Sequence, residues 1–261
     1  MKNLLSPLVL SLSVWSSAAS AEEKPEAVPL FELRTYHAAP GKLDALLTRF
    51  RDHTVELFTK HGMTNVGYWV PVENSDNLLV YLMAYPDKKA RDASWKAFLA
   101  DPDWKKAAAA SQVDGKLVEK VDGIFMKPTD FSAGFTAVIP NKSANEKHLF
   151  EMRTYTATPG NLPRLHSRFR DATQALFKTH GMTNLAYFQL TPDQKGSENT
   201  LIYFLAHNDA AAAKKSWDGF RNDPEWTAAK RASEKPVSKS LTADKGVKSL
   251  FLKATDFSPV K

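Results

Sequence analysis

The chain carries the same long pattern twice, and that duplication constrains the fold more than any other feature. FELRTY at Phe31–Tyr36 returns as FEMRTY at Phe150–Tyr155. Pro40-Gly41 returns as Pro159-Gly160, RFRD at Arg49–Asp52 as Arg168–Asp171, and HGMTN at His61–Asn65 as His180–Asn184. After a small change of spacing the copies stay in step. Asn77, Tyr81, Trp95 and Phe98 answer to Asn199, Tyr203, Trp217 and Phe220, and Asp101-Pro102 with Trp104 answers to Asp223-Pro224 with Trp226. TDFS closes both copies, at Thr129–Ser132 and Thr255–Ser258. The period is far longer than a solenoid repeat, so each copy must be a domain or half-domain.

Each copy reads as β-α-β-β-α-β. Residues 30–38 form a strand, and Leu43, Leu46, Leu47, Phe50, Leu57 and Phe58 follow at helical spacing. Residues 66–70 and 78–85 are strands, a broken helical region follows from about 87 to 110, and a last strand lies within 117–127. This order is the split βαβ, or ferredoxin-like, unit. Its helices cover one face of the sheet, and the bare face needs a partner. The second copy supplies it, so the chain is expected to be an α+β protein whose two tandem repeats (30–132 and 149–258) pack sheet to sheet as a pseudo-dimer.

The flanking segments carry no repeat. Lys2, the apolar run Leu4–Trp15 and Ala19-Ser20-Ala21 have the form of a secretory signal cut near Ala21. Residues 22–29 are then an extension, and the polar stretch 133–148 around Pro140 and Asn141 a linker. The expected location is the periplasm or the exterior. An apolar core of about a dozen residues falls short of the roughly 20 that span a bilayer, and no later run is longer.

The chain contains no cysteine, which removes disulfides, thiolate nucleophiles and zinc–thiolate sites together. The formal net charge of +6 is spread along the chain, without the basic stripe and interleaved aromatics of a nucleic-acid site. None of the seven histidines has a partner at i,i+4, and no HExxH, P-loop, GxGxxG or GxSxG occurs. No cofactor and no metal are therefore expected.

The repeated motifs leave two readings each. In HGMTN, Gly62 or Gly181 suits a left-handed helix C-cap and the histidine a helix C-terminus; the alternative is that His61 and His180 face a ligand. On the first strand Phe31, Leu33 and Thr35 share one face, and Glu32, Arg34 and Tyr36 the other. With the apolar face laid on the helices, Glu32, Arg34 and Tyr36, and likewise Glu151, Arg153 and Tyr155, point toward the opposite sheet. They form either an ion pair that sets the sheet register or an anion- or carbonyl-binding cavity. Tyr81 and Tyr85, with Tyr203 and His207 in the second copy, and Trp69 with its counterpart Phe188, add aromatic lining to that interior or simply core. The copies differ at Trp69/Phe188, Tyr85/His207 and His37/Thr156, so one half can hold a site that the other lacks. Asp101 and Asp223 suit helix N-caps, with Pro102 and Pro224 at the first helical position.

The order ELRTY, PGKL, KHG, GYW, a Tyr-rich third strand and DPDW resembles the NIPSNAP family, within the dimeric α+β barrel superfamily, over nearly the whole repeat region. The resemblance implies ferredoxin-like units paired through their sheets. The wider superfamily includes cofactor-free monooxygenases of quinol-like aromatics, haem-handling proteins and small-ligand binders, with sites between sheet and helices or between sheets. Carried over, this marks Arg34, Tyr36, His61, Trp69 and Tyr85, with Arg153, Tyr155, His180 and His207. Three functions stay open: an exported protein binding a small apolar or aromatic ligand between its sheets, a cofactor-free monooxygenase, and a scaffold. The partner is a small molecule in the first two, and further homo-oligomerisation is left open.

Overall fold

A computed structural model describes residues 29–134 and 148–261. The leader, the extension up to residue 28 and the linker residues 135–147 lie outside the described residues.

The first copy contributes β1 (Leu30–Ala38), α1 (Leu43–Arg49), α2 (Val55–Lys60), β2 (Thr64–Pro71), β3 (Leu78–Tyr85), α3 (Lys88–Ala100), α4 (Pro102–Ala110) and β4 (Val118–Pro128). The second contributes β5 (Leu149–Ala157), α5 (Leu162–Arg168), α6 (Gln174–Thr179), β6 (Thr183–Leu190), β7 (Thr200–His207), α7 (Ala210–Arg221), α8 (Pro224–Glu234) and β8 (Thr242–Ala254). All strand pairs are antiparallel, and the strands close into one barrel in the order β1-β3-β2-β8-β5-β7-β6-β4. Two short seams join the copies. Trp69 pairs with Ala254 and Pro71 with Leu252 on one side; Met126 pairs with Leu190 and Pro128 with Phe188 on the other.

The expected ferredoxin-like repeats and sheet-to-sheet packing are present, but the strand faces are reversed from the expectation. Leu33, Trp69, Val80 and Leu82 meet Phe150, Phe188, Ile202 and Phe204 inside the barrel, and Phe31 and Met152 pack against them. Glu32, Arg34 and Tyr36 therefore lie on the helix-covered face, as do Leu79, Tyr81, Met83 and Tyr85. The physical reason is closure. A space enclosed by two sheets offers no helix termini, no water and few polar partners, so it takes the most apolar face, where an unpaired charge would be most costly. The helices can supply arginine, histidine and indole N–H groups, so the charged face turns to them.

Inside the barrel Trp69 folds back over Gly67, whose missing side chain makes room for it: a Cβ there would stand 2.2 Å from Trp69 Cη2. Ala186 and the smaller Phe188 hold these two positions in the second copy. The aromatics between the sheets are shielded from solvent, Trp69 and Phe188 to within a percent or so.

The long first helix expected in each copy is interrupted by a π-helical turn, at Phe50–Thr54 and Phe169–Thr173. There the Thr54 and Thr173 hydroxyls donate to the Arg49 and Arg168 carbonyls. HGMTN completes this helix. Gly62 and Gly181 adopt φ of 75° and 80°, the left-handed conformation that terminates it. Asn65 donates to the Val55 carbonyl and accepts from the Tyr68 hydroxyl, and Asn184 does the same with Gln174 and Tyr187.

TDFS is an exchanged strap. Thr129 N–H donates to the Tyr187 carbonyl at 2.9 Å, and Thr255 N–H to the Tyr68 carbonyl at 3.0 Å, so each copy's tail lies on the other copy's sheet. Phe131 packs into the second helix-side core and Phe257 into the first.

Candidate functional site

The charged strand faces form one cluster in each copy, under the second helix pair. In the first copy Glu32 is buried and accepts from Arg34 Nη1 at 2.6 Å, from Arg91 Nη2 and Nε at 2.6 and 2.9 Å, and from the Tyr85 hydroxyl at 3.3 Å. Trp95 Nε1 donates to that hydroxyl at 2.9 Å, and the Arg34 guanidinium lies 4.4 Å from the Trp95 ring centroid. Burial raises the Glu32 carboxyl, but the Arg91 hydrogen bonds and the two guanidinium charges outweigh it, so the group stays ionised with a lowered pKa. Arg34 Nε also donates to the Tyr81 hydroxyl at 2.8 Å.

The second copy solves the same problem with different residues. Glu151 accepts from Arg153 Nη1 at 2.6 Å, His207 Nε2 at 2.9 Å, Trp217 Nε1 at 2.7 Å and the Ser249 hydroxyl at 2.5 Å. Burial pushes its pKa up; the His207 bond, the Arg153 charge and the Ser249 bond pull it down to about 2. With Nε2 donating to the carboxylate, the buried His207 Nδ1 has no partner.

The strand register gives the equivalences. Arg34 stands opposite Gly123 and Arg153 opposite Ser249; Glu32 stands opposite Phe125 and Glu151 opposite Phe251. A Cβ on Gly123 would lie 3.7 Å from Glu32 Oε1, which is the space the Ser249 side chain uses. On the helices Ala213 takes the place of Arg91, and Ala210 that of Lys88.

That exchange opens a groove. In the first copy Arg91 and Lys88 both lie 5.2 Å from the Phe125 ring and fill the space between α3 and β4. The β6–β7 turn closes over it, with Gln194 Oε1 accepting from Phe125 N–H at 3.2 Å. In the second copy the corresponding β2–β3 turn is shorter, and a pocket of about 1130 Å³ remains between α7, β8 and the end of β2. Trp217, Ala213, Phe251, Val70, Ser249 and His148 are among its lining residues. Its walls are mostly apolar, and at its base Trp217 and Ser249 lead to the Glu151 carboxylate.

The candidate residues thus divide into three places. Glu32, Arg34, Tyr36, Tyr81 and Tyr85, with Glu151, Arg153, Tyr155, Tyr203 and His207, gather between sheet and helices. Trp69 and Phe188 are packed inside the barrel, away from them. His61 and His180 are helix-end latches: each Nε2 bonds the N-cap aspartate of the last helix of its copy, Asp101 of α4 or Asp223 of α8, at 2.7 Å. Lys60 reaches the same Asp101 carboxylate at 2.8 Å, and the hydrogen bonds of Lys60 and His61 hold that carboxyl well below the usual range. Neither histidine lines the groove.

Six contributors are not singled out by the sequence. Arg49 and Arg168 stand in the duplicated RFRD, a motif whose repetition was visible. Trp95 and Trp217 were likewise repeated. Arg91 and Ser249 have no counterpart of the same type in the other copy, so repetition could not reveal them.

Among the described residues no group of histidine, aspartate and glutamate is placed to hold a metal, and no helix is long and apolar enough to cross a membrane. No curated protein matches the chain. By structure it is similar to a Fusobacterium nucleatum protein whose name proposes a monooxygenase (14% identity, 87% of this chain and 93% of that one, TM-score 0.56). It is similar to an anthrone oxidase-like protein at 11% identity, covering 88% and 92%, TM-score 0.56. These likenesses show the fold. An uncharacterized NIPSNAP domain protein from Burkholderia xenovorans is 27% identical and covers 39% of this chain and 96% of its own, TM-score 0.35. The NIPSNAP family model matches residues 31–133 and again 150–259, both copies and nearly all of the described chain, and the protein belongs to the NIPSNAP family.

Proposed function

We propose that the protein is an exported small-molecule binder whose ligand, apolar or aromatic in character, sits in the groove of the second copy. The apolar, solvent-shielded barrel interior favours the groove over the space between the sheets as the site. The observation that carries it is the replacement of Arg91 by Ala213, which leaves open in one copy a space that the other copy fills with its own arginine. At about 1130 Å³ the groove lies just above the top of the range of typical small-molecule sites, about 300–1,000 Å³. Its mixture of Trp217, Phe251 and Val70 walls with a polar base suits a flat ligand carrying a hydrogen-bonding end.

The test uses 8-anilinonaphthalene-1-sulfonate as probe, with Ala213→Arg as the decisive variant. The new arginine restores the arrangement of the first copy and has Glu151 to pair with. Saturable probe fluorescence in the wild type that disappears in the variant supports the reading; equal binding in both overturns it. Export is supported by the leader-like run from Lys2 to Ala21. A mature N-terminus at Glu22 is the expected result, and an intact Met1 in protein from the source cell refutes it.

A second reading, a cofactor-free oxygenase of quinol-like aromatics, has one observation in its favour. His148 lines the groove, and its Nδ1 donates to the Lys261 carbonyl at 3.2 Å, which leaves Nε2 of the neutral ring as the basic atom. Oxygen uptake with a hydroquinone, lost in His148→Gln, would establish it; no uptake leaves the binder reading alone.

A further inference from the structure

The two copies also differ around a second arginine pair. Arg168 is buried with its side chain on the Trp226 ring, and Nη1 reaches the Ser233 hydroxyl at 3.5 Å and Glu234 Oε1 at 3.3 Å. Glu234 Oε1 also accepts from the Leu241 N–H at 3.4 Å. The copy is therefore balanced: Arg153 and Arg168 face Glu151 and Glu234.

Arg49 sits in the same place in the first copy. It is 7% exposed, lies 5.2 Å from the Trp104 ring, and its Nη1 is 3.4 Å from the Ser111 hydroxyl. The carboxylate is missing, because Gln112 stands where the second copy has Glu234, and it turns back to the Ala108 carbonyl. Nε is without a partner in both arginines, so the copies differ only in the carboxylate at Nη1. Around this half of the sheet Arg34 and Arg91 share the buried carboxylate of Glu32, and among the described residues Arg49 forms no ion pair; Asp92 touches only the outer edge of Arg91, at 3.1 Å. A buried guanidinium without a counter-charge is a costly arrangement unless something else supplies one.

We propose that Arg49 binds a small oxyanion, a carboxylate or a phosphate, in the position that the Glu234 carboxylate occupies in the second copy. Two donors define the place: the Arg49 guanidinium and the main-chain N–H of Leu117, which stands where Leu241 donates to Glu234. The Ser111 hydroxyl donates to the Ala108 carbonyl and accepts from Arg49, which steadies the guanidinium. Tyr36 and Tyr81 lie within electrostatic reach of Arg49, and Tyr36 is itself partly exposed. Benzoate and inorganic phosphate represent the two chemistries. This site is separate from the groove beside Ala213 and does not depend on a ligand there.

The experiment is calorimetric titration of the protein with sodium benzoate and with sodium phosphate, at an ionic strength fixed with sodium chloride. Gln112→Glu is the key variant, since it installs the counter-charge within the chain and removes no packing. The wild type is expected to bind at least one of the two anions at one site per chain. Gln112→Glu should weaken that binding at least about tenfold, near 1.4 kcal/mol, and raise the anion-free melting temperature. At an anion concentration of about ten times Kd, the wild-type folding equilibrium should rise about elevenfold. Binding of benzoate alone assigns a carboxylate ligand, and binding of phosphate alone a phosphate group. Absence of binding for both anions, or unaltered binding in Gln112→Glu, overturns the proposal. Arg49→Met should also abolish binding, but the test does not depend on its folding.

Discussion

Arg51 holds the carboxylate of Asp256 through two hydrogen bonds, Nε at 2.6 Å and Nη2 at 2.8 Å, across 205 positions of the chain. Arg170 holds Asp130 in the same way, at 2.9 and 2.7 Å. The second arginine of RFRD therefore exists to receive the aspartate of the other copy's TDFS, and two motifs that look unrelated in the sequence form one contact made twice.

That contact locates the strap, but its phenylalanine should supply the energy. Both ionic groups are substantially exposed, and exposed pairs add little to stability. Phe257 instead packs on Phe50 and Tyr68. Phe257→Ala should cost about 2–3 kcal/mol, at or below the low end of the range for buried aromatic truncation because the ring is only partly buried. Asp256→Asn should leave the urea midpoint almost unchanged. A larger loss in the asparagine variant would show that charge, rather than the ring, binds the copies together.

Gly67 and Trp69 must be treated as a pair. Adding a methyl group at Gly67 drives it into the indole, so Gly67→Ala should destabilise by about 1–3 kcal/mol, as overpacked cores do. The double change Gly67→Ala with Trp69→Phe recreates the Ala186–Phe188 pair of the second copy and should recover part of that loss. A double mutant as unstable as the sum of its single mutants would deny the coupling.

Glu151 makes stability depend on acidity in a definite direction. Its folded pKa of about 2 is below the unfolded value of roughly 4.3, so its contribution is complete above about pH 5. It is lost as the pH falls through the window from about 4.3 to about 2. Its size at neutral pH is on the order of 3 kcal/mol. Urea unfolding of the wild type and Glu151→Gln should therefore differ most near pH 6 and converge toward pH 2.5. Parallel curves across that range would show that the carboxylate is not the group that titrates.

The two latch histidines should matter to stability and not to ligands. His61→Gln and His180→Gln are expected to lower the melting temperature, because each removes a partner of a helix N-cap aspartate. Probe binding in the groove should keep its wild-type stoichiometry. Loss of binding at unchanged melting temperature would return these histidines to the site.

What could be read in advance follows from periodicity and local chemistry. Phe31-x-Leu33 and Leu46-x-x-x-Phe50 give strand and helix spacing, and Asp101-Pro102 gives a helix start; all need only neighbouring residues. Alternation alone does not say which side of a strand faces the barrel, so the sequence pattern of Glu32 and Arg34 leaves their face open. The decision rests on the absence of polar partners between the sheets, a property of the closed assembly. The π-helical turns were invisible for a similar reason, since Phe50–Thr54 keeps an ordinary helical composition. The groove depends on Ala213, and a small residue on a helix attracts no notice until Arg91 is seen at the matching point of the other copy.

The exchanged straps have a genetic consequence. In a barrel built from two identical chains, any substitution is written into both halves, so a plugged half and an open half could not coexist. Here the halves are encoded separately yet held together by Phe131 and Phe257. The chain can therefore carry Arg91 in one half and Ala213 in the other, and Gln112 opposite Glu234, a difference that two copies of one gene product could not hold.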